Sequence, residues 1–335
     1  MKEIGSEFWK QYPPVSLQSL DNEVCLLSGR TALRFIIDDI CRDRKVRKAL
    51  LPSYCCDSMI FPFVQAGIDV AFYQVHHDGI DYPYNNDADI VFLIDYFGYA
   101  IDQNQEIARH EKQEGKIVLY DATHKLNGNK SVESYADYTF SSYRKWFFCN
   151  YAKAVKHNGA FVRASELLRH DRYLQLREAA ACEKARYMAG QEGDKQRFLS
   201  DFGAAEEMLD VDYAGYVGIP VEADVETIVS RRRKNASYLI QELKAFPQIT
   251  LWRQNIGLDD TPMFVPILID PLVRGGLRRY LISRQIYCPI HWPKSTYHSA
   301  CNELYEKELS LVCDQRYDLA DMERMVGAIK EYFAD

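Results

Sequence analysis

A single lysine stands beside an aromatic run in the stretch SSYRKWFFCN, residues 141–150. Lysine is normally a surface residue, because burial of its unpaired charge is costly. Loss of water around Lys145 would lower its pKa and produce the neutral amine that attacks carbonyl groups. The alternative, which is the commoner case for an isolated lysine, is a side chain whose stem lies on the aromatic rings while its ammonium stays in water. Lys145 is therefore a candidate nucleophile.

An acidic residue ends an apolar run in VLYDATHKL, residues 118–126. Asp121 closes the run, and His124 follows three residues later. A carboxylate at the end of a strand could pair with a cationic ring nitrogen of a ligand. It could equally cap the turn that follows, and the residues favour neither role.

A third candidate is the helix start in LSGRTALRF, residues 27–35. A helix N-terminus exposes backbone N–H groups and the positive end of the helix dipole, so Gly29, Arg30 and Thr31 could hold a phosphate. An ordinary helix start capped by Ser28 is the commoner case. The stretch lacks the GxGxxG dinucleotide fingerprint and the closing Gly-Lys-Ser/Thr of a P-loop.

Predicted strands and helices that alternate along the chain must position these candidate residues. Short apolar runs that predict buried strands lie near residues 48, 70, 90, 118, 140 and 158, and polar helix-prone segments separate several of them. That alternation predicts an α/β fold with a largely parallel sheet, in which functional groups gather at the carboxyl ends of the strands. From about 165 to 209 the chain is helical and charged. We predict a large α/β domain at 1–215 and a small α+β domain at 216–335.

Composition narrows the class of protein. The net charge of -7 does not favour binding to nucleic acid or to an acidic membrane, and no apolar run could span a bilayer. Nine cysteines without repeated short spacing indicate free thiols in a reducing cytoplasm. His76 and His77 lack further ligands at zinc spacing, so no metal site is predicted.

The order of these pieces is that of a pyridoxal-phosphate site, since the cofactor needs an amine for its aldehyde, a carboxylate for its ring nitrogen and donors for its phosphate. The chain resembles the fold-type I pyridoxal-phosphate enzymes, nearest the DegT/StrS-like branch of sugar aminotransferases. The resemblance covers most of the chain and rests on SGRTAL, LPSY, DYFGYAID, DATH, SSYRKW, YCPIHWP and LVCDQRYDLADMERM.

The resemblance implies the aspartate aminotransferase-like fold, with a mostly parallel seven-stranded sheet flanked by helices and a smaller C-terminal α+β domain. It implies that Lys145 is the Schiff-base lysine of pyridoxal 5'-phosphate. Asp121 would pair with the ring nitrogen, and His124 would lie near the phenolic oxygen. Ser141 or Ser142 would bind phosphate beside the backbone of Arg30 and Thr31.

The resemblance further implies a cytoplasmic homodimer with shared active sites that moves an amino group from a small donor, such as glutamate, to a keto-sugar nucleotide, as in polysaccharide synthesis. Where relatives carry the aromatic that stacks on the ring, this chain has Cys56, which leaves Tyr54 or Tyr96. His291 could reach the active site or be a satisfied loop residue. Arg316 could clamp the donor carboxylate or form a salt bridge.

Two other functions are compatible with the same residues. One is another reaction of the same cofactor, namely elimination, decarboxylation or dehydration. The other is a catalytically silent relative that binds a sugar nucleotide, for which Cys56 and the absence of the usual glycines after the lysine are the signals.

Overall fold

The structure is a computed structural model that describes residues 3–9, 22–162, 167–209, 215, 224–297 and 302–334. The strands are β1 (Ile4–Gly5), β2 (Glu23–Leu26), β3 (Lys48–Pro52), β4 (Asp69–Val75), β5 (Ile80–Asp81), β6 (Ile90–Ile94), β7 (Ile117–Asp121), β8 (Tyr138–Ser142), β9 (Ala152–Lys156), β10 (Thr250–Leu251), β11 (Phe264–Leu268), β12 (Ile286–Tyr287) and β13 (Glu308–Val312). The helices are α1 (Gly29–Asp43), α2 (Asp57–Gln65), α3 (Asp102–Gln113), α4 (Lys130–Glu133), α5 (Asp171–Met188), α6 (Lys195–Met208), α7 (Val225–Leu243), α8 (Pro271–Ser283), α9 (Leu304–Lys307) and α10 (Leu319–Ala334).

The large sheet has the strand order β2-β9-β8-β7-β6-β3-β4-β5. Its five central strands, β8 to β4, are parallel. The strands β9 and β5 run antiparallel to their neighbours. This confirms the α/β class and the mostly parallel sheet, and the eighth strand is the two-residue edge strand β5. Strands β6 and β7 are buried at every position, as expected for strands covered by helices on both faces.

Helix α1 begins at a reciprocal cap that the sequence encodes. The Ser28 hydroxyl accepts a hydrogen bond from the Thr31 N–H, and the Thr31 hydroxyl oxygen accepts one from the Ser28 N–H. Its buried face carries Leu33, Phe35, Ile36, Ile37 and Ile40, in agreement with the helical spacing of the sequence. The cap and the apolar face together fix where the N-terminus of α1 meets the sheet.

The small unit is built on the antiparallel sheet β10-β11-β13. Helices α7 and α8 contact this sheet, and α10 packs against both of them. Its buried apolar residues form a cluster separate from the main one under the large sheet. The N-terminal strand β1 pairs in parallel with β12 of this unit, so the start of the chain lies against the C-terminal part. The expected boundary at 215–216 stays a prediction, because residues 216–223 lie outside the described residues.

The two units meet where the loop after β6 runs along the segment before β11. The Met263 N–H donates to the Phe97 carbonyl at 2.7 Å, and the Thr261 N–H donates to the Gly98 carbonyl at 3.1 Å. Gly98 has φ of +93°, and a Cβ there would lie 1.8 Å from the Thr261 carbonyl oxygen. Only glycine permits this close approach. Across the described ranges, no helix is both long and apolar enough to cross a membrane.

Candidate active site

The predicted site residues gather at one edge of the large sheet. Asp121 is the last residue of β7, and Ser142 is the last residue of β8. A single 3-10 turn, Tyr143–Lys145, then carries Lys145. Strand β2 runs antiparallel to β9, which runs antiparallel to β8, so the carboxyl end of β2 and the start of α1 lie at the same edge. The structure therefore places all three candidate groups where an α/β sheet puts its ligands.

Lys145 and His124 are in direct contact. The Lys145 Nζ atom lies 3.0 Å from His124 Nε2, and His124 Nδ1 accepts a hydrogen bond from the Phe97 N–H at 3.3 Å. Because Nδ1 accepts, a neutral His124 carries its proton on Nε2 and donates it to the lysine. Burial lowers the pKa of His124 well below its usual range, and the Lys145 charge lowers it further. A neutral imidazole that donates to Lys145 requires an uncharged amine there.

The pKa of Lys145 is itself lowered, mainly by loss of water and next by two neighbouring cations, Arg144 and Arg30. The negative charge of Asp121 acts in the opposite direction. This favours the nucleophilic role over a lysine whose ammonium remains in water.

Asp121 is held with one oxygen in use and the other without a partner. Its Oδ1 accepts a hydrogen bond from the Thr123 N–H at 2.7 Å, whereas Oδ2 is buried and has no hydrogen-bond partner among the described residues. Burial raises the pKa of Asp121 to about 6, although the Thr123 hydrogen bonds and the Lys145 charge lower it in part. Capping of the turn therefore uses only half of this carboxyl, and Oδ2 remains to bind a cationic N–H.

The start of α1 packs directly on this edge. A Cβ on Gly29 would lie 3.1 Å from the Thr123 methyl and 3.5 Å from Ser142 Cβ, so a larger residue would crowd the gap between α1 and β8. Ser142 is buried beside it, and the Ser141 hydroxyl is buried without a hydrogen-bond partner in the part of the chain that the structure describes. The Thr31 N–H is already used in the cap to Ser28, so Thr31 supports the helix start rather than offering a donor.

A cavity of about 730 Å³ opens over these residues. This volume is within the usual range for small-molecule and cofactor sites. Its wall includes Gly29, Arg30, Asp121, Ser142, Lys145 and His291, together with Phe8 of the N-terminal segment. Residues from both units therefore share one cavity.

The aromatic cover differs from the sequence expectation. Tyr54 does not line the cavity; its ring packs behind the wall, against Tyr96, Trp292 and Tyr305 at centroid distances of 5.5, 5.2 and 5.1 Å. Trp292 does line the cavity, and its ring stacks on His124 at 5.6 Å. The structure thus gives no support to Tyr54 as the residue that covers a ligand ring.

The two C-terminal candidates, His291 and Arg316, have different surroundings in the structure. His291 lines the cavity, and its ring lies 5.9 Å from that of His124. Arg316 also reaches the wall, but its Nε and Nη2 atoms donate to the two oxygens of Asp314 at 2.8 and 2.7 Å, and Nη1 donates to the Ser6 and Glu7 carbonyls. Asp314 occupies the bidentate edge that a substrate carboxylate would need, so the geometry favours the salt-bridge alternative for Arg316.

Sequence reasoning missed the acid that balances the cationic side of the cavity. Glu206, on α6, accepts hydrogen bonds from Arg144 and Arg177. The Arg30 Nη2 atom lies 4.0 Å from Glu206 Oε2. The sequence marks this segment only as helical and charged, because its partners are separated from it by up to 176 residues of chain.

Comparisons with known proteins bear on the fold. No protein-family model matches the chain, and no curated protein does. Among solved structures, Helicobacter pylori PseC, an aminotransferase involved in the biosynthesis of pseudoaminic acid, aligns with a TM-score of 0.69 at 13% identity, covering 99% of this chain and 100% of that one.

Two further structures align over most of the chain. The aminotransferase TlmJ from Streptoalloteichus hindustanus has a TM-score of 0.64 at 15% identity, covering 94% of this chain and 86% of its own. NtdA from Bacillus subtilis, solved with bound cofactor PMP, has a TM-score of 0.62 at 13% identity, covering 93% of this chain and 73% of its own. The protein therefore has the fold of these aminotransferases.

Proposed function

We propose that the protein is a pyridoxal-phosphate-dependent aminotransferase that moves an amino group from a small amino acid, such as glutamate, to a keto-sugar nucleotide or similar keto substrate. The observation that carries the proposal is the pair formed by Lys145 and Asp121 in one cavity. A donating His124 and the lowered pKa of Lys145 favour a neutral amine, and Asp121 Oδ2 is buried with no hydrogen-bond partner in the described part of the chain.

The residues present fit the cofactor. Asp121 Oδ2 is an orphaned acceptor suited to a protonated ring nitrogen, and burial of an unpaired carboxyl is costly unless such a cation arrives. Gly29 keeps open the gap between α1 and β8, with the Ser142 side chain beside it. These residues would hold the ring at one end and the phosphate at the other.

When bound, pyridoxal phosphate supplies an aldehyde that condenses with amines and an electron-withdrawing ring that stabilises negative charge. Lys145 Nζ would accept the proton from the α-carbon of the donor and later return it, as a general base and then a general acid. His124 Nε2 orients Nζ, and Asp121 Oδ2 would keep a proton on the ring nitrogen. Trp292 and the other aromatic side chains of the wall exclude water.

The substrate class, the homodimer with shared active sites and the cytoplasmic location rest on the family resemblance, and aminotransferases among the structural neighbours support the first of these. The cavity volume of about 730 Å³ lies within the range of small-molecule and cofactor sites.

Incubation of the purified protein with pyridoxal phosphate and glutamate tests the proposal without knowledge of the acceptor. We expect the absorbance of the bound aldehyde form to convert to that of the aminated form, with release of one keto acid. Release of keto acid, carbon dioxide or ammonia without amination of the cofactor would assign the other cofactor reactions. A protein that never takes up the cofactor would be the silent relative.

Covalent capture tests the named lysine. Borohydride should fix the cofactor to the wild-type protein and to Lys130→Ala, which removes an exposed lysine from the same domain. It should not fix the cofactor to Lys145→Ala, and peptide mapping should find the added mass on Lys145. Capture in the Lys145→Ala variant would remove this residue from the mechanism.

A further inference from the structure

A buried carboxyl lies behind His291. Glu308, the first residue of β13, is fully buried, and so is Ser310, two residues later on the same face of the strand. Burial of an acid in a protein interior is costly unless its oxygens are hydrogen-bonded. Neither side chain lines the cavity, and the proposed chemistry does not use them.

The two side chains bind His291 at two points. Glu308 Oε2 accepts a hydrogen bond from the His291 backbone N–H at 2.7 Å. The Ser310 Oγ atom lies 2.9 Å from His291 Nδ1 and 2.5 Å from Glu308 Oε1. The other ring nitrogen, Nε2, has no hydrogen-bond partner among the described residues, and the ring lines the cavity. One hydroxyl therefore connects a buried acid to an imidazole that faces the pocket.

That hydroxyl has a single proton, so it can donate in only one direction. If Glu308 is ionised, Ser310 donates to Oε1, and Nδ1 must carry a proton to donate to Oγ. His291 Nε2 is then a lone pair. If Glu308 is protonated, it donates to Oγ, Ser310 donates to Nδ1, and a neutral His291 carries its proton on Nε2. The protonation of Glu308 and the tautomer of His291 are thus coupled.

We propose that Glu308 and Ser310 are positioning residues that set the tautomer of His291, so that Nε2 presents a proton to the pocket when Glu308 is protonated and a lone pair when it is ionised. The use of this switch rests on the proposed function. Transamination expels the oxygen of the keto substrate as water, and that oxygen must gain protons. The attacking amine supplies one of the two protons, and His291 Nε2 gives the other. Ser310 then passes its proton to Nδ1, and Glu308 replaces the proton on Ser310 and is left ionised.

The surroundings of Glu308 allow both states near neutral pH. Burial raises its pKa to about 8, against the hydrogen bonds from His291 and Ser310 and the charge of Arg274 on α8. Tyr54 and Cys288 also face it, and burial raises the pKa of each of these groups. Arg274 donates to backbone carbonyls, so Glu308 has no direct ion-pair partner among the described residues.

His291 itself does not compete for this proton. Burial and the charge of Lys145 lower its pKa to about 3, so the ring is neutral over the working range of pH and changes only its tautomer.

Nitrogen-15 NMR of histidine-labelled, purified full-length protein reads the tautomer directly, and the signal missing in His291→Asn assigns it. We expect about nine-tenths of His291 to carry its proton on Nε2 at pH 7 and about one-tenth at pH 9, because each pH unit changes the ratio tenfold. An unchanged tautomer between pH 7 and pH 9 in the wild-type protein would overturn the proposal without any variant.

Glu308→Gln supplies the matched comparison. Its carbonyl oxygen would keep the bond from the His291 N–H, so its amide NH2 would donate to Ser310 and fix the proton on Nε2 at both pH values. Ser310→Ala should also lose the response near pH 8. Glu303→Gln, in an exposed acid paired with Lys307, should retain it. A pH swing of wild-type size in Glu308→Gln would refute the coupling.

The return of the aminated cofactor to its aldehyde form on addition of 2-oxoglutarate gives the functional readout, because this half-reaction expels the oxygen of a keto substrate. Between pH 7 and pH 9 the rate of the step that uses the Nε2 proton should fall about tenfold in the wild-type protein and less than about twofold in Glu308→Gln. Equal pH profiles in the two proteins would overturn this use of the switch. A tautomer swing in a protein that never aminates its cofactor would refute the proposed function while the coupling itself stands.

Discussion

Replacement of Asp121 by asparagine should change how the stability of the cofactor-free protein depends on pH. The pKa of Asp121 is raised from 3.8 to about 6 by burial. Since one unit corresponds to 1.36 kcal/mol, the ionised carboxyl destabilises the folded state by about 3 kcal/mol. Below its ordinary pKa the group is protonated in both states and has no such cost. As pH rises, the unfolded chain ionises first, and stability is lost until pH passes about 6.

The experiment compares melting temperatures of cofactor-free wild-type protein and Asp121→Asn at pH 5 and pH 8. About 1.4 kcal/mol of the effect falls between these values. For a chain of 335 residues this corresponds to about 2 °C. Between pH 5 and pH 8 the melting temperature of the wild-type protein should therefore fall by about 2 °C more than that of the variant. Asp259→Asn, in an exposed aspartate, should behave like the wild-type protein.

Addition of pyridoxal phosphate should stabilise the wild-type protein more than Asp121→Asn. A cationic ring N–H would give Oδ2 its missing partner, and hydrogen bonds to charged groups contribute about 1.5–3 kcal/mol. The Asp121→Asn variant should therefore bind the cofactor at least about tenfold more weakly and aminate it more slowly. Parallel pH curves for the two cofactor-free proteins would show that Asp121 is not desolvated and would refute the reasoning.

Two substitutions test how the two units are held around the cavity. Gly98→Ala should lower the free energy of unfolding by about 3 kcal/mol or more, because its Cβ would lie 1.8 Å from the Thr261 carbonyl oxygen. Gly115 also has a positive φ, but no atom lies within 4 Å of the position of its Cβ. Gly115→Ala should therefore cost only about 1 kcal/mol, and thermal melting compares the two variants. Arg232→Met should cost about 3 kcal/mol or more in chemical denaturation, because the buried guanidinium donates to three backbone carbonyls, whereas exposed Arg231→Met should be nearly neutral. Melting of Gly98→Ala at the same temperature as Gly115→Ala, or equal denaturation midpoints for the two arginine variants, would contradict this account of the contact.

The elements that the sequence predicts well are those whose whole signal is local. Strands β6 and β7 are continuous apolar runs, Asp121 ends β7, and Lys145 lies three residues after the end of β8, so parallel pairing brings both side chains to one edge. Short strands such as β12, with two residues, have no such signal. Arg316 shows the limit for side chains: its partner Asp314 is two residues away, but the sequence does not reveal whether that carboxylate or a substrate holds the guanidinium.

The cationic side of the cavity links the charged helical segment to the chemistry of Lys145. Arg144 precedes the lysine, and its positive charge lowers the lysine pKa, which favours the neutral amine. An unbalanced arginine at this position would also repel a protonated ring held by Asp121. Glu206 on α6 accepts a hydrogen bond from Arg144 and thereby offsets part of its charge. The helical segment that carries no predicted site residue would therefore adjust the balance between the neutral amine of Lys145 and the cationic ring that we propose for the site.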